Sequence, residues 1–210
     1  MAKSPSESAS AATGKPTGLA ALRTKIDKID RDLVALMNAR AEVARQIGHI
    51  KSTDGQATYD PAREEMVLDR VAASNAGPLS NDSLKAIYRE LISGSRAIEQ
   101  HIRVAHLGPA WTYSHLAALH RFGSSVEFVP VASISAAFEE VQAGHSHYGV
   151  VPLENSTDGR IADTLDNFSR LPVKICAEVP LRIHHTLLAT CDRTSVTEVY
   201  SRPQALSQCR

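Results

Sequence analysis

The chain has 210 residues, with 23 basic and 23 acidic side chains. That length suits one large or two small domains with real cores, and the balanced charge excludes a global field that draws nucleic acid or anionic membrane. Its apolar runs fall far short of a bilayer span and its first residues lack the apolar core of a secretory signal, so a cytoplasmic chain with no membrane or nucleic-acid partner is expected.

Met1 to Gly18 is Ser, Ala, Thr, Lys and Pro with almost nothing to bury, and is expected to be a disordered tail. The chain is organised around the next stretch, Leu19 to Lys51. Its apolar residues fall at Leu22, Ile26, Ile29, Leu33 and Leu36, then at Val43, Ile47 and Ile50. Steps that alternate between four and three are the period of a helix packed along one seam. At position 40 the seam holds Arg40 instead, a charge that is costly in a dry stripe unless something neutralises it. Lys51 lies three turns later on nearly the same face, about 16 Å along the axis. Two long cations leaning into that gap suit a small, doubly negative molecule; a plain coiled coil with Arg40 snorkelling out of its edge is the bland alternative. The rod is roughly 50 Å long, more than the width of a small domain. An obligate dimer of two such rods is the economical way to cover the seam.

Ser52 to Thr58 is polar and holds the turn signal Asp54-Gly55. Asp60 is a natural N-cap and Pro61 fits the first helical position, so a second helix begins there and runs to about Ser74. Glu64 suits the positive end of that helix, whereas Arg63 opposes the dipole, a placement that points to function. After the breaker Asn75-Ala76-Gly77-Pro78, Ser80 or Asn81 caps a third helix with the stripe Leu84, Tyr88, Leu91, Ser95 and Ile98. Ser95 and Glu99 share a face at the end of that stripe. Taken alone, the pair also reads as a fraying polar helix end.

From Ile102 the texture changes to short strands alternating with helices. Strands are expected at Ile102 to Leu107, Val126 to Val131 and Tyr148 to Val151, then near Val173 to Val179, Arg182 to Ala189 and Glu198 to Tyr200. Thr112 or Ser114 caps a helix through His120, Ser133 caps one to about Ala143, another ends at Phe168, and a last one begins at Pro203. The chain is expected to stop inside that last helix, as a longer product that has been cut. Such alternation means an open α/β sheet with its site at the carboxyl ends of the strands. Cys176, Cys191 and Cys209 form no paired or metal-spaced pattern and are read as structural. His145, His147, His184 and His185 lack a Cys or carboxylate at ligand spacing, so they read as surface or core histidines and no metal is expected.

These residues resemble two known families. The first hundred are similar to the all-helical class of chorismate mutase. The rest resembles the start of prephenate dehydratase, and the order matches the bifunctional P-protein family of phenylalanine biosynthesis. The loop Gly108-Pro109-Ala110-Trp111-Thr112-Tyr113-Ser114 resembles the family's Gly-Pro-x-Gly-Thr-(Tyr/Phe)-Ser, with a tryptophan at the second glycine. Val151-Pro152-Leu153-Glu154-Asn155-Ser156 matches a second signature closely. The Thr-Arg-Phe motif with the family's catalytic threonine occurs nowhere in these residues, nor does the phenylalanine-sensing domain. Dehydratase activity is therefore not expected of them, and Thr112, Ser114, Glu154, Asn155 and Ser156 stand as motif remnants.

The resemblance implies a tail over residues 1–18 and a three-helix mutase domain over 19–101 that forms an intertwined homodimer. It further implies a partial α/β, periplasmic-binding-protein-like dehydratase domain over 102–210. It implies chorismate as substrate, prephenate as product, and no cofactor. Arg40 and Lys51 match the family's binding residues on the long helix, and Arg23 matches the arginine that reaches into the partner's site. Asp60, Arg63 and Glu64 stand at the loop and second helix, and Ser95 and Glu99 complete the site from the third. Catalysis falls to Lys51, Glu99 and Arg40: Lys51, and Glu99 if protonated, meet the negative charge that develops on the ether oxygen. Glu64 or Asp60 holds the ring hydroxyl or orients the cations. Burial raises the pKa of Glu99 while Lys51 and the arginines lower it, and the sequence leaves the winner open. Two rival readings remain. In one, the helices are a dimerisation device beside a carboxylate-binding lobe without chemistry. In the other, these residues belong to a full bifunctional enzyme that makes phenylpyruvate.

Overall fold

A computed structural model describes residues 18–57, 59–156 and 159–209. The expected disordered tail thus lies outside the described residues, apart from Gly18. The elements run α1 Leu19–Thr53, α2 Pro61–Ala73, α3 Asn81–Glu99, β1 Arg103–Leu107, α4 Tyr113–Phe122, β2 Glu127–Val131, α5 Ile134–Gln142, β3 Tyr148–Val150, β4 Glu154–Asn155, β5 Gly159–Arg160, α6 Ala162–Arg170 and α7 Pro203–Gln208. A 3-10 turn at Arg193–Ser195 precedes α7. The chain divides into two compact units, and the division falls after Val43, inside α1.

None of the described residues of α1 is buried. Its seam residues Leu22, Ile26, Ile29, Leu33, Leu36, Val43, Ile47 and Ile50 are all exposed, from 44% at Leu33 to 68% at Leu36. The periodicity therefore produces the helix but no partner for its apolar face among the described residues.

In the second unit local chemistry sets the helix starts. Asp60 Oδ1 accepts from the Arg63 N–H at 2.9 Å, and Pro61 occupies the first turn of α2. Ser80, Thr112 and Ser133 cap α3, α4 and α5 in the same way. The buried face of α3 differs from the expected stripe. Leu84, Tyr88 and Leu91 are half-buried and Ile98 is exposed, whereas Ile92, Ser93, Ser95 and Arg96 are buried. The small residues Ser93, Gly94 and Ser95 let neighbouring chain come close: the Ser93 hydroxyl accepts from the Ser125 N–H.

The sheet order is β2-β1-β3, all parallel, so β1 is central. Val104, Ala105 and His106 are buried in succession, as on a strand covered on both faces. The core joins Ile102, Val104, Ala118 and Phe122, with Val126, Phe128, Tyr148 and Val150 packed against it. It also takes Tyr59, from the loop before α2, which is 4% exposed. The strands expected near Val173 to Val179, at Arg182 to Ala189 and at Glu198 to Tyr200 are not formed. A strand exists through its ladder, and those segments have no ladder partner among the described residues. A short antiparallel pair, β4 with β5, forms instead; Thr157 and Asp158 lie outside the described residues. The last helix spans Pro203–Gln208, with Cys209 following it. Cys176, Cys191 and Cys209 are free and exposed, so none is a structural core residue.

Candidate active site

The candidate mutase residues of the second unit gather where the last turns of α1, the start of α2 and the end of α3 meet. Gly48 makes this possible. A Cβ there would lie 2.6 Å from Glu99 Cδ and 2.8 Å from Glu99 Cγ, a separation that real atoms do not adopt. Only glycine lets the Glu99 carboxylate lie against the backbone of α1, one turn before Lys51. Burial raises the Glu99 pKa, and it outweighs Lys51 and Arg96, which pull the pKa down. Glu99 therefore holds its proton to higher pH than an ordinary carboxyl group. Lys51 Nζ donates to the Ala57 carbonyl at 3.4 Å, across the turn that leads to Asp60.

Glu64 is the second acid of this group. Its side chain is 17% exposed and ion-paired with Arg96 Nη1 at 3.1 Å. Its pKa is also raised, because burial prevails over Arg96, Arg121 and Lys51, with Asp60 adding to the rise. Lys51, Asp60, Glu64 and Glu99 are thus electrostatically joined, two raised carboxyls beside fixed cations. Such a set can hold an anion and donate a proton-bearing hydrogen bond in one place. Ser95 is buried and its hydroxyl donates to the Leu91 carbonyl at 2.7 Å. Arg63 is exposed, with its backbone N–H held by Asp60. Arg23 is exposed and Arg40 half-buried, both on α1 in the first unit.

Arg96 was not among the residues that the sequence pointed to. It is 5% exposed, and its guanidinium sits over the rings of Tyr59 and Phe122, 5.0 and 5.7 Å from their centroids. Nη2 donates to the Phe122 carbonyl, while Nε has no hydrogen-bond partner among the described residues. The available signal was an arginine one turn before Glu99, directly after Ser93-Gly94-Ser95. Small residues beside a long cation mark a place where another segment packs closely.

The two dehydratase-like loops follow the carboxyl ends of neighbouring parallel strands, β1 and β3. Thr112 Oγ1 donates to the Leu107 carbonyl at 2.8 Å and accepts from the His115 N–H at 3.3 Å. Trp111 has φ +68°, the left-handed region that favours glycine, and its N–H donates to His115 Nδ1 at 2.9 Å. The Gly108–Pro109 bond is cis. Ser114 and Asn155 are half-buried, and Glu154 and Ser156 are exposed. The buried Thr164 hydroxyl donates to the Pro152 carbonyl at 2.6 Å, which ties the second loop to α6. His145 lies 3.7 Å from Glu140, His147 bonds Gln100 and the Arg103 N–H, and His185 bonds Gln208. No cluster of three metal-ligating side chains occurs among the described residues, and no described helix is long and apolar enough to cross a membrane.

The family model described as Prephenate dehydratase matches residues 104–210, and the one described as Chorismate mutase type II matches residues 22–100. A Bifunctional chorismate mutase/prephenate dehydratase of Pseudomonas aeruginosa is 43% identical over 199 residues, covering 91% of this chain and 54% of the relative. Proteins with the same description from Aquifex aeolicus and Escherichia coli are 40% and 33% identical, over 90% and 91% of this chain and 54% of each relative. The chain thus spans about half the length of the curated relatives it matches.

Proposed function

Because this chain belongs to the prephenate dehydratase family and carries a chorismate mutase type II segment ahead of that domain, we propose that the segment rearranges chorismate to prephenate. The observation that carries the reading is the joining of Lys51, Glu64 and Glu99 where α1, α2 and α3 meet, with both carboxyl pKa values raised. The rearrangement is a single step without nucleophile or cofactor. Its catalyst has to hold the dianion in a compact, reactive conformer and stabilise charge as the ether bond breaks. Lys51 and the protonated Glu99 meet the ether oxygen. Arg40, Arg63 and Arg23, the last from a partner subunit, take the two carboxylates, because a planar guanidinium grips a carboxylate at two points. Glu64 or Asp60 holds the ring hydroxyl, and Ser95 lines the site. A million-fold acceleration, low for an enzyme, needs roughly 8 kcal/mol, within reach of a few buried charge-assisted contacts.

Domains over residues 19–101 and 102–210, after a tail over residues 1–18, belong to the same proposal. So do an intertwined homodimer and a cytoplasmic setting. The α/β half is proposed to have a periplasmic-binding-protein-like fold, with Thr112, Ser114, Glu154, Asn155 and Ser156 as remnants of the dehydratase motifs. The test is chorismate consumption by the wild-type chain and by Arg40→Ala and Lys51→Ala. Each substitution should remove most of the rate and leave the helical circular-dichroism signal intact. Near-wild-type rates in both would put the site elsewhere.

A further inference from the structure

We infer that Arg96 is a positioning residue of the mutase site and that the α/β half is its seat, so that the packing of that half sets the charge state of the two site acids. This inference rests on the mutase reading above. On one side Arg96 is fixed by parts that belong to the α/β core: the Phe122 carbonyl at the end of α4, and the rings of Phe122 and Tyr59. On the other side it reaches Glu64 on α2 at 3.1 Å, and it lies one turn before Glu99 on α3.

Tyr59 reinforces the seat. Its ring packs against Phe122 at 5.0 Å and Tyr148 at 4.9 Å, and its hydroxyl accepts from Arg121 Nε at 2.6 Å. Burial pushes that hydroxyl up to about 12, so it stays neutral in any working range. The next residue is Asp60, whose carboxylate opens α2 and so places Glu64. Two routes therefore run from the α/β core to the site, one through Arg96 and one along the backbone from Tyr59. A cation held in a buried clamp of two rings and a carbonyl cannot follow a moving carboxylate. It fixes where that carboxylate sits and how readily it ionises.

Among the described residues, the charged and titratable groups facing the two acids include Lys51 of α1, Asp60 before α2, Arg96 of α3, Arg121 of α4, and Tyr59 and Tyr148 of the core. Of these, Arg96 acts on both Glu64 and Glu99, as does Lys51. Arg96 opposes protonation of both, so replacing it with a neutral side chain moves both titrations to higher pH.

The experiment uses the full chain with Arg96→Met and Arg96→Lys, read in two ways. Carbon-13 titration of the Glu64 and Glu99 carboxyl groups should show both midpoints about one unit or more higher in R96M and near wild type in R96K. The pH profile of chorismate kcat should move the same way, with its acid limb following Glu64 and its alkaline limb following Glu99. Unchanged midpoints in R96M overturn the inference, as does an R96K titration displaced as far as that of R96M. Should R96M lose helical signal, R96M/E64Q removes the uncompensated buried charge, and the Glu99 midpoint alone decides. A wild-type chain that consumes no chorismate sinks the mutase reading, while the carboxyl titration still decides on Arg96.

Discussion

At Glu99 the competing influences that the sequence left open are resolved in favour of burial. The consequence has a fixed sign. In the proposed role, protonated Glu99 would donate to the ether oxygen and ionised Glu99 would repel it, so the rate is expected to fall as pH rises through the raised pKa. Glutamine donates at every pH. Glu99→Gln should therefore flatten the alkaline side of the kcat/KM profile and keep or raise the rate near neutrality; parallel profiles would remove Glu99 from the donor role. Gly48 permits a test that separates stability from function. Alanine is preferred over glycine in a helix by roughly 1 kcal/mol, which stabilises α1. The added Cβ, however, falls on Glu99 and must displace its carboxylate. Gly48→Ala should thus keep or raise the melting temperature while lowering kcat, and a fall in both would show instead that the residue is packed for stability.

At the scale of an element, the turn from β1 into α4 explains why the resembled family places glycine where this chain has Trp111. The position is left-handed, at φ +68°. A non-glycine residue there costs about 1–2 kcal/mol, and the hydrogen bond from the backbone N–H to His115 Nδ1 is one that glycine would keep. The indole contributes little packing, being 77% exposed. Trp111→Gly should therefore stabilise the chain by up to about 1 kcal/mol after the greater unfolded-state entropy of glycine is charged against it. A urea midpoint that does not rise would mean that the contact of the indole with His115 is worth as much as the strain. The neighbouring helix α3 shows a different kind of determination. Its amphipathic period is intrinsic, but the face that became buried was chosen by Tyr59, Phe122 and Ser125 packing against it.

At the scale of the whole molecule, the decisive feature is the exposed seam of α1. Full burial of a Leu, Ile or Val side chain is worth about 1.5–3 kcal/mol, and the eight seam residues are roughly half exposed. Covering them on two chains is worth on the order of 10–20 kcal/mol, enough to meet an association cost of about 4–15 kcal/mol. An obligate dimer is thus expected. Sedimentation at falling concentration should show dissociation together with loss of helical signal, since such dimers often have no stable folded monomer. A folded, active monomer at nanomolar concentration would contradict it.

The sequence by itself determined what rests on neighbours along the chain. Asp60, Ser80, Thr112 and Ser133 cap their helices because a cap needs only the N–H groups two or three residues on. The period of Leu19–Thr53 made a helix for the same local reason, and the alternation after Ile102 made three parallel strands. What tertiary structure decided rests on partners far along the chain. Residues 173–179, 182–189 and 198–200 have strand-like composition, yet a strand forms only when another strand accepts its hydrogen bonds. The meeting of Gly48 with Glu99, of Arg96 with Phe122 and of Tyr59 with Arg121 spans 51, 26 and 62 positions. No period or cap encodes such pairs. They arise because burying Tyr59 and Phe122 together removes apolar surface from water, and Arg96, drawn in with them, is left facing Glu64.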